Sequence, residues 1–376
     1  MESADGLLVR VRLPGGSIDR SGLRTVAGIA EEFGNRVVEL TSRANLQIRG
    51  LDAADIAVVA ERLVGGGLAD ADADADQRRD VVVSPLTGYD PAALIDLCRA
   101  TGEIADLLAS ADDLPGLPPK FGVVFDDGGA APVRRVPADL CFGALRAANG
   151  DIMMQLELGR ALDAADPSVA CIPVSEVPGV VMAGARLCAT HGDRIDALVD
   201  RHGRANLLAT LTDGTAVRME KAPDPRAAVV PIGVLAAGGD HVNVGAAPLL
   251  GRSSPEILRA VADAADADAT VRLTPWRGLV LCGVAAADAE RVVERLTGAG
   301  LSTDPANPAH LVSACAGLPG CGSSRADTLG AARELLGRST PITSRVHLSG
   351  CEKCCGANAD VVLVADEHGN FGRDWQ

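Results

Sequence analysis

Between residues 6 and 68 the spacing of apolar positions changes several times, and each change predicts a new element. GLLVRVRL alternates apolar and polar residues, the mark of a half-buried strand. SGLRTVAGIAEEFG then takes up helical spacing and stops at Gly34. VVELT and LQIRGL read as short strands, and AADIAVVAERLVGGG as a helix closed by glycines.

The pattern recurs. VELTSRANLQIRGLDAADIAVVAERLVGGGL, residues 38 to 68, aligns without a gap on VRLTPWRGLVLCGVAAADAERVVERLTGAGL, residues 271 to 301, and 15 of the 31 positions are identical. Identities fall in the loops as well as on the apolar faces, which points to a duplicated domain and not to two unrelated modules of similar shape. In the second copy Ser254 and Pro255 are the expected N-cap and first-turn residues of the first helix. Strand–helix–strand–strand–helix is the order of a ferredoxin-like α+β unit.

Between the copies, ADADADAD at 69–76 is of low complexity and is expected to be a solvated connector. A mixed α/β region follows, and TDGTAVRMEKAPDPRAAVVP reads as the connection into the second copy. The expected organisation is a ferredoxin-like half-domain at 1–68, an α/β block at 79–215, a second half-domain at 231–301 and a second α/β block at 302–376.

Composition narrows the functional classes. A chain of 376 residues has room for two or three domains with buried cores. It has no run of eighteen apolar residues, so no transmembrane helix is predicted. The opening MESADGLLVRVRL lacks the basic start of a signal peptide, and a cytoplasmic location is expected. A formal charge of −15 argues against a nucleic-acid partner, because phosphate backbones require clustered Lys and Arg.

Ten cysteines in such a chain are expected to stay reduced. Cys98, Cys141, Cys171, Cys188 and Cys282 are scattered through apolar contexts and are expected to be buried small hydrophobes. The other five crowd near the C-terminus: Cys315 and Cys321 in CAGLPGC, and Cys351, Cys354 and Cys355 in CEKCC. Thiolates are soft ligands suited to zinc or iron–sulfur clusters. C-x5-C with C-x3-C is comfortable around a cubane, Cys351 and Cys354 offer a C-x2-C pair of the kind zinc prefers, and plain reduced thiols are the third reading.

At these residues the chain resembles the nitrite and sulfite reductases, which combine C-x5-C and C-x3-C with a duplicated ferredoxin-like architecture and pair a [4Fe–4S] cluster with sirohaem. The resemblance covers nearly the whole chain. It implies a duplicated nitrite/sulfite-reductase-like α+β fold, in which each ferredoxin-like half-domain is followed by a mixed α/β block that binds cluster or tetrapyrrole. It also implies that Cys315, Cys321, Cys351 and Cys355 ligate the cluster, with Cys355 nearest the catalytic pocket and Cys354 a bystander.

Other stretches extend the resemblance. TSRANLQIRG is similar to a family segment that supplies cations to tetrapyrrole carboxylates and to the anion, here Arg43 and Arg49. Arg79, in RRDVVVSP, stands where the family has an active-site arginine. LPPKFGVVFDDGG is similar to a segment with two active-site lysines, of which only Lys120 is present, with Gly122 at the second place. Arg277, after Trp276 in the second copy, joins them as a residue to bind a substrate carboxylate. The implied substrate-binding set is therefore Arg43, Arg49, Arg79, Lys120 and Arg277, with Arg43 and Lys120 catalytic. His347, just before the cysteines, is expected to be a hydrogen-bonded structural histidine.

The missing lysine weakens the reading as an anion reductase, since reduction of sulfite or nitrite needs concentrated positive charge and protons. It leaves tetrapyrrole binding untouched, because Arg forks suit carboxylates. RLTPWRGL, LPPKFG and SGCEKCCG resemble the precorrin-3B synthase branch. That branch implies oxygen-dependent hydroxylation of precorrin-3A with formation of a γ-lactone in cobalamin biosynthesis, a [4Fe–4S] cluster, and room for an additional non-haem iron. The alternatives are a sirohaem-dependent nitrite or sulfite reductase, and a zinc-stabilised tetrapyrrole-binding protein without redox activity. No G-x-G-x-x-G follows a strand and opens a helix, so electrons are expected from a separate ferredoxin or reductase.

Overall fold

Both copies of the repeat form the elements their apolar spacing predicts. In the first, strand Gly6–Val11, helix Arg20–Glu32, strands Val38–Leu40 and Leu46–Leu51 and helix Ile56–Gly65 follow in order. In the second, the same order runs His241–Ala246, Pro255–Ala264, Thr270–Leu273, Leu279–Ala285 and Ala289–Gly298. Asp19 caps the first helix by accepting from the Gly22 N–H at 2.6 Å, and Ser254 caps its counterpart by accepting from the Ile257 N–H.

The computed structural model describes residues 2–159, 169–213, 217–219, 229–266, 269–339, 341–357 and 359–372. The chain divides into one unit of Met1–Val11, Ser17–Ala69 and Val230–Gln376 and another of Arg12–Gly16 and Asp70–Val229.

In the first unit each half-domain completes the sheet of the other. Strand Ser17–Ile18 pairs antiparallel with Thr270–Leu273, placing Ile18 opposite Val271. Strand Arg252–Ser253 pairs in the same way with Val38–Leu40. Each half-domain sheet thus has five strands, one of them lent by the other copy. Helices Arg20–Glu32 and Pro255–Ala264 pack together, burying Leu23, Val26, Leu258 and Val261. Each such side chain contributes about 1.5–3 kcal/mol, so the shared core binds the two copies into one body.

The same unit ends in a parallel sheet of Val312–Ala314, Val346–Ser349 and Val361–Val364. Helix Thr328–Leu336 covers it and shares a core with it through Leu329, Ala332, Leu335, Val312 and Leu348.

The second unit is built on a six-stranded mixed sheet. Strands Val81–Val83, Val123–Asp126 and Leu140–Arg146 run parallel, and the first two are buried along their whole length, as parallel strands covered on both faces are. Ile152–Leu158, Val169–Pro173 and Val217–Met219 continue the sheet antiparallel. Helices Cys98–Ala109 and Val177–His191 join its core.

One expectation is corrected here. ADADADAD is not wholly a solvated connector: Ala73–Arg78 is helical, and Asp72 caps it by accepting from the Asp74 N–H. Asp76 is buried and pairs with Arg12 at 2.8 Å and Arg79 at 3.6 Å. An acid buried between two arginines anchors the segment to its unit. Of the connection at 212–231, only 212–213, strand 217–219 and 229–231 are among the described residues. No helix among the described residues is long and apolar enough to cross a membrane.

Candidate functional site

The two cysteine pairs leave the same end of the parallel sheet. Cys315 follows strand Val312–Ala314 and Cys351 follows its neighbour Val346–Ser349, so both start loops beyond the carboxyl ends of adjacent parallel strands. Open α/β sheets hold ligands in that position. The Cys315 N–H donates to the Leu348 carbonyl at 3.0 Å, and the Gly350 N–H donates to Cys315 Sγ at 3.2 Å. Thr328 Oγ1 donates to the Cys315 carbonyl at 2.8 Å. Cys321 comes after the turn Gly317–Gly320. The two loops are joined by the Arg325 N–H on the Gly350 carbonyl, 2.8 Å, and by Lys353 Nζ on Ser323 Oγ, 3.2 Å.

The thiols fall into two classes. Cys315, Cys321, Cys351 and Cys354 are half-buried and Cys355 is exposed. Cys141, Cys171, Cys188 and Cys282 are buried as expected. Burial pushes the Cys171 thiol up to about 11, the Cys188 thiol up to about 12 and the Cys141 thiol well above its ordinary value, which keeps all three protonated and inert. Cys98 departs from expectation: it is half-buried, and its Sγ donates to the Thr87 carbonyl at 3.3 Å. Among the described residues, no three His, Cys, Asp or Glu side chains converge closely enough to hold a single metal ion. A mononuclear zinc site would draw its thiolates to about 2.3 Å from one point, whereas a cubane spaces its ligands around a larger object.

His347, on strand Val346–Ser349, is fully buried and bonds Ser313 Oγ through Nδ1 at 2.9 Å. Burial first, and the charge of Arg277 second, push it down to about 4, so the imidazole is neutral near pH 7. Nε2 has no completed hydrogen bond, although the Cys355 backbone lies near enough to oppose the shift.

Two matching turns carry the cations of the repeat. Thr41 N–H bonds the Asn45 carbonyl at 2.9 Å in the first, and Thr274 N–H bonds the Gly278 carbonyl at 2.9 Å in the second. Arg43 is half-buried in the first turn, its N–H on Thr41 Oγ1 at 3.3 Å. In the second, Arg277 Nη2 donates to the Gly356 carbonyl at 3.1 Å, directly after Cys355. Gly356 has φ 73°, and a Cβ there would stand 2.6 Å from Arg277 Nη2, so only glycine allows this approach.

Arg277, Trp276, Ser42, Arg345 and Gly356 line a cleft of about 40 Å³. Burial lowers the pKa of the Arg277 guanidinium against the opposing charge of Glu39, and among the described residues no carboxylate lies within salt-bridge distance of it. Trp276 keeps a buried Nε1–H without an acceptor. An unpaired cation beside an unmet donor is the chemistry of a carboxylate site. Arg345 is committed to Asp360 at 3.1 Å.

Arg49 lies outside that cleft and is 2 % exposed. Its Nε and Nη2 bond the two oxygens of Asp5 at 2.9 and 2.8 Å, and Nη1 reaches Glu39 at 3.3 Å. Partial burial pushes the Asp5 carboxyl up, but Arg49 outweighs it and holds it below the usual range. Burial in turn lowers the Arg49 pKa, and the two carboxylates more than restore it.

Arg79 and Lys120 belong to the second unit. Arg79 is half-buried against Asp76, and Lys120 is exposed, without an ion pair among the described residues. At the place of the absent lysine, Gly122 is buried, its N–H on Asp139 Oδ2 at 2.9 Å. Sequence reasoning missed Ser42, Ser313 and Thr328. Isolated hydroxyls carry no pattern, and only Ser42 had a signal, its place in the repeated turn.

Comparison with known proteins agrees with this architecture. The nitrite/sulfite reductase ferredoxin-like half domain matches residues 1–65 and 236–299. A precorrin-3B synthase of Sinorhizobium sp is 28% identical over 361 residues, covering 94% of this chain and 76% of that protein. Sulfite reductase [ferredoxin] 2 of Mycolicibacterium paratuberculosis is 28% identical over 393 residues, covering 96% and 68%. The structure of the Mycobacterium tuberculosis NirA protein superposes with a TM-score of 0.77 at 24% identity, over 97% of this chain and 72% of that one. The two matched segments, residues 1–65 and 236–299, are the two copies of the internal repeat, and each is similar to the nitrite/sulfite reductase ferredoxin-like half domain.

Proposed function

We propose that the chain is an iron–sulfur oxidoreductase of precorrin-3B synthase type, which hydroxylates precorrin-3A with O2 and closes a γ-lactone. The observation that supports this best is the placement of both cysteine loops at one end of a parallel sheet, next to a cleft whose arginine has no carboxylate partner. Cys315, Cys321, Cys351 and Cys355 would hold a [4Fe–4S] cluster. They are soft donors on two joined loops, with a backbone N–H already directed at one sulfur.

When bound, the cluster supplies single electrons for activating O2. Per turnover one oxygen atom enters the substrate and the other leaves as water, which takes up two electrons and two protons. The substrate carries many carboxylates. Arg277 offers a guanidinium fork to one of them and Trp276 Nε1–H an additional donor. Arg43, in the corresponding turn, and Arg79 and Lys120 of the second unit each keep the cationic role the resemblance implies. The neutral, buried imidazole of His347 ties together, through Ser313, the two strands that lead into the cysteine loops. Electrons would arrive from a ferredoxin-type donor, the partner named for the mycobacterial sulfite reductase.

A sirohaem-dependent sulfite or nitrite reductase is the second reading, supported by the equal identity of the sulfite reductase relative. Gly122, buried and bonded where that chemistry calls for a second lysine, favours the first. Absorption of the anaerobically purified protein separates the readings. A broad thiolate-to-iron band without Soret-type bands is expected; added Soret and long-wavelength bands would support the reductase, and a colourless zinc protein would end both.

A further inference from the structure

We propose that Arg49 is a positioning residue of the cysteine cradle: it locks the backbone just before Cys321 and so sets where that thiolate meets the cluster. The inference rests on the cluster reading above. Arg49 Nη2 donates to the Gly320 carbonyl at 2.6 Å, and Ser3 Oγ donates to the same oxygen at 2.5 Å. Arg49 Nη2 also bonds Ser3 Oγ at 2.7 Å, which closes a triangle around that carbonyl. One of its two donors is charged, and charge-assisted bonds are roughly twice as strong as neutral ones.

The arginine is itself immobilised. Asp5 grips it through both oxygens and Glu39 through a third bond, while Glu39 also accepts from Arg252 of the second half-domain. At 2 % exposure the guanidinium is shielded from water, while Asp5 keeps 21 % exposure at its outer edge. Gly320 suits the arrangement, since a Cβ there would stand 3.2 Å from Nη2. Cys315 and Cys351 are fixed within their own α/β block, by the Leu348, Gly350 and Arg325 backbone bonds. The Cys321 loop has such bonds too, from the Leu318 N–H to the Ala326 carbonyl at 2.9 Å and from the Ser324 N–H to the Cys321 carbonyl at 3.1 Å, and the first half-domain adds a second hold at Gly320, by residues 3, 5, 39 and 49. Ligand orientation by such outer partners is what tunes a metal centre.

The test compares full-length wild type, Arg49→Gln, Arg49→Lys and Ser3→Ala after reconstitution with iron and sulfide. The readouts are the EPR signal of the reduced cluster and the rate of iron loss to a chelator, with circular dichroism of the apo-proteins as the folding control. Arg49→Gln is expected to lose iron about 10–100-fold faster and to change the EPR line shape. Lysine, which can still donate to Gly320, should recover part of both. Ser3→Ala, which deletes one donor near the surface, should move both readouts the same way by a smaller factor, and it decides the matter if Arg49→Gln fails to fold. A loaded wild type with variants that match it in EPR and iron loss overturns the inference alone. A wild type that takes up no cluster overturns the cluster reading and this inference with it.

Discussion

Ala44 and Arg277 occupy corresponding places in the turns of the two half-domains, and both adopt left-handed backbone, at φ 54° and 60°. Left-handed backbone costs a residue with a Cβ roughly 1–2 kcal/mol. The second copy therefore keeps a large cation where glycine would be easier to accommodate, and that cation reaches Gly356 beside the cysteine loop.

Arg277→Gly separates these two effects. Relief of the left-handed strain offsets the entropy cost of glycine and the lost bond to Gly356, so stability should stay within about 1 kcal/mol of wild type. Affinity for a carboxylate-bearing tetrapyrrole should fall about tenfold or more, the worth of a hydrogen bond to a charged group. Thermal melts and binding titrations on the same samples check both halves.

Cys354 and Cys355 should behave oppositely. Cys354→Ala is expected to keep full iron content, and Cys355→Ala to lose cluster and activity. Iron and labile-sulfide assays decide; an empty Cys354→Ala protein would restore the C-x2-C zinc reading.

Much of the half-domain fold was legible because its signals are local. LQIRGL alternates, and the strand Leu46–Leu51 lies there; Ser254 stands before Pro255, and the cap forms. What stayed hidden depends on partners distant in sequence. The strands Ser17–Ile18 and Arg252–Ser253 are two residues long and exist only because the other copy receives them. ADADADAD has no apolar period, and the Arg12–Asp76 pair, not a local preference, ties it down. At the site, the sequence identified Arg49 as a cation but could not show that Asp5, Glu39 and Gly320 already occupy its donors.

Lending of strands between the copies makes Ile18 a joint. Its side chain is 4% exposed and its backbone pairs with Val271 of the other copy. Ile18→Ala should cost about 2–5 kcal/mol, the usual range for such a truncation in a core. Urea unfolding should show both half-domains melting in one shifted transition; two separate transitions would mean that the copies do not share a core.

Asp127, in the second unit, is 1% exposed and keeps Oδ2 without a partner. Burial above all pushes its carboxyl up from 3.8 to about 6. A raised acid favours the folded state at low pH, so its contribution is full below about pH 3.8 and is lost as the pH rises through about 6. A shift of that size corresponds to about 3 kcal/mol at most. Asp127→Asn should remove this dependence, and unfolding free energies of both proteins at about pH 4 and pH 7 would reveal it. Parallel pH profiles would mean that Asp127 titrates normally.

The most direct measurement of the proposed activity supplies the reconstituted chain with precorrin-3A, a ferredoxin reducing system and isotopically heavy oxygen gas, and weighs the product. The expected result is a tetrapyrrole carrying one heavy oxygen atom and a new lactone, formed by wild type and not by Cys355→Ala. Unchanged precorrin-3A, with sulfite or nitrite consumed by the same preparation, would contradict it.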